Sequence, residues 1–448
     1  MEKKKFEKPI ISKINAGVPD KFGMQSHVQS IPTIDKIPVK DLIAEYGSPV
    51  FAISEATLEK TYHEAHQAFS TRYPKVQFAW SYKTNYLDAV CRKYHQLGSW
   101  AEVVSGFEYE KALSNGVPGQ QIIFNGPDKS EEDLTLAINH KSLIHIDHFD
   151  ELYTILALAE KLENRPRVAI RVNMDTGIYP IWDRFGFNYE NGDAWNAINR
   201  LLLSKKVDFV GLHAHIGTYI MAAWAYGNAT AKLAELAVRI QHKFNHYVKY
   251  IDIGGGFASK NTLKGAYLPG SDTCPSFDDY ADAITGALIN SEIEPDHLPT
   301  LFLETGRALI DDAGYLLGTV IANKRLSDGR ASLVLDIGVN MLFTSFWYEH
   351  LVHPVDPVSN YTENTTLYGP LCMNIDVIRE NMPFPSLKKG QHIVIKRIGA
   401  YNMTQWMQFI THRPAVVLID KQGVSHLIRK RETNSSITNE EVIPEFLQ

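Results

Sequence analysis

From residue 76 onward, short apolar runs alternate with longer stretches whose apolar residues recur every three to four positions. The strand-like runs are VQFAWSY (76–82), WAEVV (100–104), QIIF (121–124), LIHI (143–146), PRVAIRV (166–172), DFVGLH (208–213), VKYIDI (248–253) and TLFLE (300–304). Helical periodicity fills the gaps, for example over 130–140, 149–162 and 224–244. Strand followed by helix, repeated eight times, predicts an α/β (β/α)8 barrel. Near Arg307 the pattern changes. LLGTVIAN, ASLVLDIG, HIVIKRIG and AVVLID follow, separated by turn residues and without helical period, which predicts a mostly antiparallel all-β domain.

The chain accordingly divides into a flexible segment (1–30), a contribution to the β domain (31–55), the barrel (56–308), the β domain (309–430) and a loosely held tail (431–448). The polar stretch 357–366 reads as a surface loop.

Composition narrows the function classes. At 448 residues the chain can hold two domains, and 44% hydrophobic with 21% charged residues is globular. A net charge of -6 gives no electrostatic reason to expect nucleic acid or an anionic membrane as partner. The start MEKKKFEKPIISK has no apolar segment behind its lysines, and no run approaches a membrane span. Cys91, Cys274 and Cys372 are too scattered for a disulfide framework or a CxxC metal site, so a cytoplasmic location is expected.

In such a barrel, chemistry gathers at the carboxyl ends of the strands. Those ends carry Lys83, Glu102, Ser105, Asn125, Asp147, Arg171, His213, His215, Gly254-Gly255-Gly256 and Glu304-Thr305-Gly306-Arg307. Singly, a strand-end lysine is a solvated cap, GGG a turn and HxH a structural pair that predicts no metal. Together they suit one group. Consecutive glycines free backbone N–H groups for a phosphate. Desolvation favours a neutral lysine amine able to attack an aldehyde. A carboxylate can keep a pyridine nitrogen protonated, and an imidazole can stack on its ring. These are the requirements of pyridoxal 5'-phosphate. The GxGxxG spacing of a dinucleotide site is absent.

SYKTN, HIGT (215–218), DIGGGF (252–257), ETGR (304–307), GPLC (369–372) and GAY (399–401) resemble the alanine-racemase-type, or fold type III, pyridoxal phosphate decarboxylases. The chain is most similar to diaminopimelate decarboxylases, with ornithine decarboxylases further off; DLIAEYGSPVFAISEATL (41–58) and AEVVSGFE (101–108) also look like the diaminopimelate branch. The resemblance implies that Lys83 bonds the cofactor, His215 stacks on it and Glu304 pairs with its pyridine nitrogen. Thr218 would bind phosphate beside the three glycines, Thr305 and Gly306, with Arg307 and Tyr401 closing the anion site and Arg171 near the ring hydroxyl. Cys372 would be the acid that protonates the α-carbon, supplied across a homodimer with shared active sites. The small-molecule substrate would be an amino acid, contacted by Arg307, Tyr348 and Tyr401.

Two departures bear on that substrate. Where the family has a glutamate after the loop cysteine, this chain has Met373. Where it has an Arg-Pro pair for the distal carboxylate, this chain has Thr344-Ser345. Asp336 and Asp376 are left as candidates for a distal amine, and Phe343, Phe346, Trp347, Met373 and Trp406 for an apolar pocket. The expectation is therefore a decarboxylase of another amino acid or a conjugate, in secondary-metabolite or siderophore biosynthesis. The alternatives are a true diaminopimelate decarboxylase, a racemase on the same barrel, and a catalytically weak regulatory homologue.

Overall fold

The computed structural model describes residues 28–448, so most of the segment expected to be flexible lies outside the described residues. Eight parallel strands form in the expected places: Val76–Ser81, Trp100–Val103, Ile122–Phe124, Leu143–Ile146, Arg167–Asn173, Asp208–His213, Tyr250–Asp252 and Thr300–Leu303. Each pairs with its neighbour in chain order. The last strand returns to the first, with Leu303 opposite Phe78, and the barrel closes. Helices cover it where the apolar period predicts, over Glu131–Asn139, Phe149–Lys161 and Ala223–Phe244. Ser130 caps the first of these by accepting from Asp133 N at 3.0 Å while Asp133 returns the bond, which satisfies two otherwise orphaned backbone donors.

Side chains alternate across the barrel wall. Phe78 and Trp80 of the first strand point outward onto the helices, where Trp80 stacks on Tyr94 with ring centroids 3.8 Å apart. The intervening Ala79 points inward. It packs with Ile123, Leu143, Ala169, Val210, Tyr250 and Phe302 in an apolar layer that plugs the barrel. Two residues further along the strands, or three in the bulged strand of Val210, that interior becomes polar: Ser81, Glu102, Asn125, His145, Arg171, His213, Asp252 and Glu304 are all buried at the carboxyl ends. The period of two thus places the reactive side chains above a dry floor.

The β domain begins at Gly314. Strand Gly314–Arg325 pairs antiparallel with Ala331–Leu335, with His392–Lys396 and with Val50–Ser54. The early strand Val50–Ser54 also pairs parallel with Ala415–Ile419, so the N-terminal chain is woven into this sheet. A second parallel pair, Ala331–Leu335 with Glu363–Tyr368, makes the sheet mixed although mostly antiparallel.

Two expectations need correction. The stretch 357–366 is not all loop, because strand Glu363–Tyr368 starts within it and buries Thr365 and Thr366 against the sheet. Its polar composition hid a strand whose threonines are β-prone. The tail is anchored at its start: Arg431 donates to Pro49 O at 2.5 Å and Arg413 N donates to Glu432 at 2.8 Å, whereas residues 434–448 are exposed.

Candidate active site

Lys83 sits in a single 3-10 turn, Tyr82–Thr84, immediately after the first barrel strand. Its side chain is 37% exposed toward the barrel mouth, and Nζ donates to both oxygens of the fully buried Glu102, at 2.7 and 2.9 Å. Burial works against the ammonium, but Glu102, Glu304 and Tyr401 outweigh it and hold the group above the ordinary lysine range. The expectation of a neutral amine therefore needs correction: desolvation is present, and buried carboxylates overrule it. Lys129, also buried, is spent on Gly126 O, His145 O and Glu151. Lys83 is the lysine of the pair that faces open space.

Glu304 follows the last barrel strand, which pairs with the first, and is 4% exposed. Its Oε1 accepts from Asn125 Nδ2 at 2.6 Å, and Oε2 lies 3.4 Å from His213 Nε2. Asn125 Nδ2 also reaches Glu102, at 3.0 Å, so one amide links the two carboxylates. Asp252 beneath them is pushed well above the usual carboxylate range by burial and by Glu304, which leaves it protonated. His213 stacks on His145 at 4.5 Å, and burial holds both below the ordinary histidine range, so they are neutral. His145, His213 and Glu304 offer ligand atoms within 4.8 Å of one another, the spacing of a metal cluster. Arg171 and two lysines nearby weigh against a cation there.

His215, half-buried, is likewise lowered by burial, then by Arg171 and Lys83. Its Nδ1 accepts from Gly255 N at 3.1 Å, which puts the remaining ring proton on Nε2. Trp182 stands edge-on to it at 6.4 Å. Arg171 is buried against Asp147, 3.7 Å away, and against the face of Phe185.

The triple glycine is used more selectively than expected. Gly254 N already donates to Asp252 Oδ1 at 2.8 Å and Gly255 N to His215. Gly256 N alone has no partner among the described residues, and it remains for an anion. Side chains are excluded by backbone crowding: a Cβ on Gly255 would lie 2.5 Å from Glu304 O and one on Gly256 2.2 Å from Gly217 O. Gly306 is equally tight against Thr84. Thr305 is buried with its hydroxyl unpaired, and Thr218 is exposed. Arg307 donates to Tyr348 OH and lies over the Tyr401 ring, 4.5 Å from its centroid.

Three of the residues expected near a substrate are placed otherwise. Asp376 is 2% exposed and turned into its own loop, accepting from Val339 N at 2.8 Å and Leu371 N at 2.6 Å. It shapes the turn that presents the exposed Cys372 rather than meeting a ligand. Asp336 accepts from Thr319 N at 2.7 Å and lines a cleft with Pro49, Met341 and Arg431 of the β domain, away from the barrel. Tyr348 is buried, 1% exposed, and meets the site through Arg307 and the ring of Tyr219, 5.5 Å away. Met373 is half-buried against the core. Thr344 is 1% exposed and bonded to His350 Nε2 at 2.8 Å and Asn402 Oδ1 at 2.9 Å, facing inward.

Glu102, Asn125, His213 and Asp252 carry the electrostatics of the site, yet from sequence they are only strand-end residues without roles. The signal was their parity: Glu102, Asn125 and Asp252 share the inward face with Trp100, Ile123 and Tyr250, two positions earlier, while a bulge in the strand of His213 places its plugging residue, Val210, three positions earlier.

These groups fit pyridoxal phosphate. An accessible lysine, a neutral imidazole, a buried carboxylate and a crowded glycine cradle with an unpaired N–H stand around one barrel mouth. The fold and site define a barrel-type pyridoxal phosphate enzyme with an attached β domain. Residues 58–311 match the pyridoxal binding domain of pyridoxal-dependent decarboxylases and 308–399 match their C-terminal sheet domain. The chain belongs to the pyridoxal-dependent decarboxylase family and is a carboxy-lyase that uses pyridoxal phosphate.

Over 431 residues it is 29% identical to diaminopimelate decarboxylase of Methanocaldococcus jannaschii, covering 92% of this chain and 95% of the relative. The Bacillus subtilis diaminopimelate decarboxylase is 26% identical over 412 residues, 88% of this chain and 92% of that one. The M. jannaschii enzyme in complex with L-lysine superposes with a TM-score of 0.84 at 28% identity, over 93% and 97% of the two chains. Lysine/ornithine decarboxylase of Vibrio vulnificus, with putrescine, shares the fold at a TM-score of 0.73 and 19% identity, over 86% and 97%. Among the described residues no helix is long and apolar enough to cross a membrane.

Proposed function

We propose that this chain removes the α-carboxylate of diaminopimelate, or of an amino acid closely like it. The observation that carries this reading is the near-full-length match to diaminopimelate decarboxylases, joined to a mouth holding Lys83, Glu102 and Glu304 within one hydrogen-bonded network. When bound, pyridoxal phosphate supplies an electron sink for the carboxylate's departing electron pair. Lys83 would hold the cofactor covalently. Glu102 balances the lysine's charge, and Glu304, fixed by Asn125, would keep a proton at the pyridine nitrogen. His215, with its proton on Nε2, offers a flat neutral face to the ring. Gly256 N–H, Thr218, Thr305, Gly306, Arg307 and Tyr401 would hold the phosphate, and Arg171 would serve the ring hydroxyl.

Cys372, exposed on the loop that Asp376 shapes, delivers the proton to the α-carbon in the partner subunit's site. The working form is thus a homodimer in the cytoplasm. A thiol exposed on its own chain is what a shared site requires.

A second reading has its own observation. Met373 and the inward-turned Thr344 leave no charged group at the two positions that the family resemblance assigns to the far end of diaminopimelate. A substrate with an uncharged or conjugated far end would then be preferred. Carbon dioxide release from diaminopimelate, lysine, ornithine, diaminobutyrate and acylated derivatives decides. Fastest turnover of diaminopimelate supports the first reading, and fastest turnover of a derivative the second. No release from any amino acid would remove both.

A further inference from the structure

Asp311 lies four residues beyond Arg307, at the end of the short helix Arg307–Ile310, and is 2% exposed. Its carboxylate collects donors from two separate parts of the chain. Oδ2 accepts from Ser259 Oγ at 2.6 Å and Asn261 Nδ2 at 3.1 Å, both in the loop that follows the triple glycine. Oδ1 accepts from Ala400 N at 3.0 Å, in a turn of the β domain. The Asp311 backbone carbonyl adds a bond from Gly399 N at 3.4 Å, and Asn261 Nδ2 also reaches Arg397 O at 2.9 Å.

Ala400 precedes Tyr401, whose φ is 64°, a left-handed conformation that costs a tyrosine energy unless its surroundings impose it. Tyr401 N donates to Thr84 O at 2.9 Å, the residue after Lys83, and its ring lies against Arg307. One carboxylate therefore joins the strand-seven loop, the strand-eight helix and the β-domain turn around the anion end of the site. All three side-chain contacts of Asp311 come from donors, so only the ionised carboxylate accepts them all without a proton to place.

We propose that Asp311 is a positioning residue that sets the Gly399–Tyr401 turn and, through it, the Tyr401–Arg307 pair that holds the cofactor's phosphate. Without it the buried Ala400 N–H loses its acceptor, and the left-handed turn is left to weaker anchoring by Tyr401 N on Thr84 O and Asn402 Nδ2 on Ala400 O. Burial pushes the carboxyl up to about 6 while Arg307 opposes the rise, so it is ionised at neutral pH as the contacts require. The inference rests on the reading of Tyr401 and Arg307 given under Proposed function, and two measurements keep the two apart.

The first is amide hydrogen exchange over residues 399–402 in cofactor-free protein, in wild type, Asp311→Ala and Asp311→Asn. Exchange should speed up about tenfold in Asp311→Ala, as expected for loss of one buried hydrogen bond. Asp311→Asn keeps an acceptor for Ala400 but sets a donor against Asn261, so its 399–402 exchange should stay within about threefold of wild type. This variant also serves if the alanine variant does not fold. Unchanged protection in Asp311→Ala, or full loss in Asp311→Asn, overturns the proposal.

The second is pyridoxal phosphate affinity, read by visible absorbance in Asp311→Ala, Tyr401→Ala and the double variant. Asp311→Ala should weaken binding about tenfold in the wild-type background and less than about twofold when Tyr401 is already alanine. Equal losses in both backgrounds would show that Asp311 acts independently of Tyr401. Wild-type affinity in Tyr401→Ala would instead remove the reading of the phosphate site, while the exchange result still judges Asp311.

Discussion

The Lys83 ammonium and the Glu102 carboxylate form a two-point ion pair, at 2.7 and 2.9 Å, with the acid fully buried and the lysine open to the barrel mouth. The arrangement stores the lysine charged and aimed. Borohydride reduction of the cofactor-loaded protein should place the pyridoxyl mass on the peptide containing Lys83 and leave Lys129 unmodified. Peptide mass spectrometry checks this, and label on another lysine would contradict the site described.

Removing the acid should be felt at the lysine. In Glu102→Gln the Coulombic support is lost while burial persists, so the Lys83 pKa should fall. In cofactor-free protein the pH dependence of Lys83 acetylation, read by peptide mass spectrometry, should shift downward by about one unit or more. An unshifted titration would mean that Glu304 and Tyr401 alone set the lysine's charge.

The proposal that the partner supplies the thiol makes a mixing prediction. Cys372→Ala and Lys83→Ala homodimers should each be nearly inactive, whereas unfolding and co-refolding them should restore roughly a quarter of wild-type activity per site, from statistical pairing into dimers with one intact composite site. Heterodimers that form without recovery would show that the site is not shared.

Thr344 tests how the β domain is built where the resemblance expects an arginine. Its hydroxyl is bonded to His350 and Asn402 in a buried setting. Thr344→Val should cost about 1–3 kcal/mol, the penalty of leaving buried polar groups unpaired. Thr344→Arg should cost more, since the cation has no buried partner there. Met373, half-buried at the loop, should accept glutamate with little loss of stability. Urea midpoints measure the stabilities, and Met373→Glu should raise diaminopimelate turnover.

Asp311 also predicts a pH dependence of stability. Its folded pKa of about 6 lies above the 3.8 of an unperturbed aspartate, with Arg307 and Asp312 the charges nearest it. The folded state therefore takes up the proton first as pH falls. Its ionisation costs stability above pH 6, and that cost is relieved between about 6 and 3.8. Relative to Asp311→Asn, wild type should gain on the order of 1 kcal/mol per pH unit over that window. Equal urea midpoint differences at pH 7.5, 6.0 and 5.0 would refute it.

Much of the catalytic end was legible because a barrel converts linear order into position. The inward parity and the carboxyl-end rule located Lys83, His215, Arg171, the glycines, Glu304 and Arg307 without any contact map. The same parity pointed at Glu102, Asn125 and His213, but their roles lie in who bonds to whom across strands 20 to 180 residues apart in the chain. Asp336 and Asp376, expected near a distal amine, are placed otherwise for a related reason. A polar residue in a loop or β segment reads the same whether it faces a ligand or closes its own turn.

Sequence alone determined the eight-fold alternation, the change of period near Arg307 and the chemistry presented at the strand ends, since these follow from local hydrophobic pattern and residue type. Tertiary structure decided the charge state of Lys83, which two of the three glycines spend their N–H groups internally, and that Asp376 shapes the Cys372 loop. It also decided how Asp311 ties barrel to β domain. Each of these depends on burial and on partners brought together by closure of the barrel, and neither quantity is written in the local pattern of the chain.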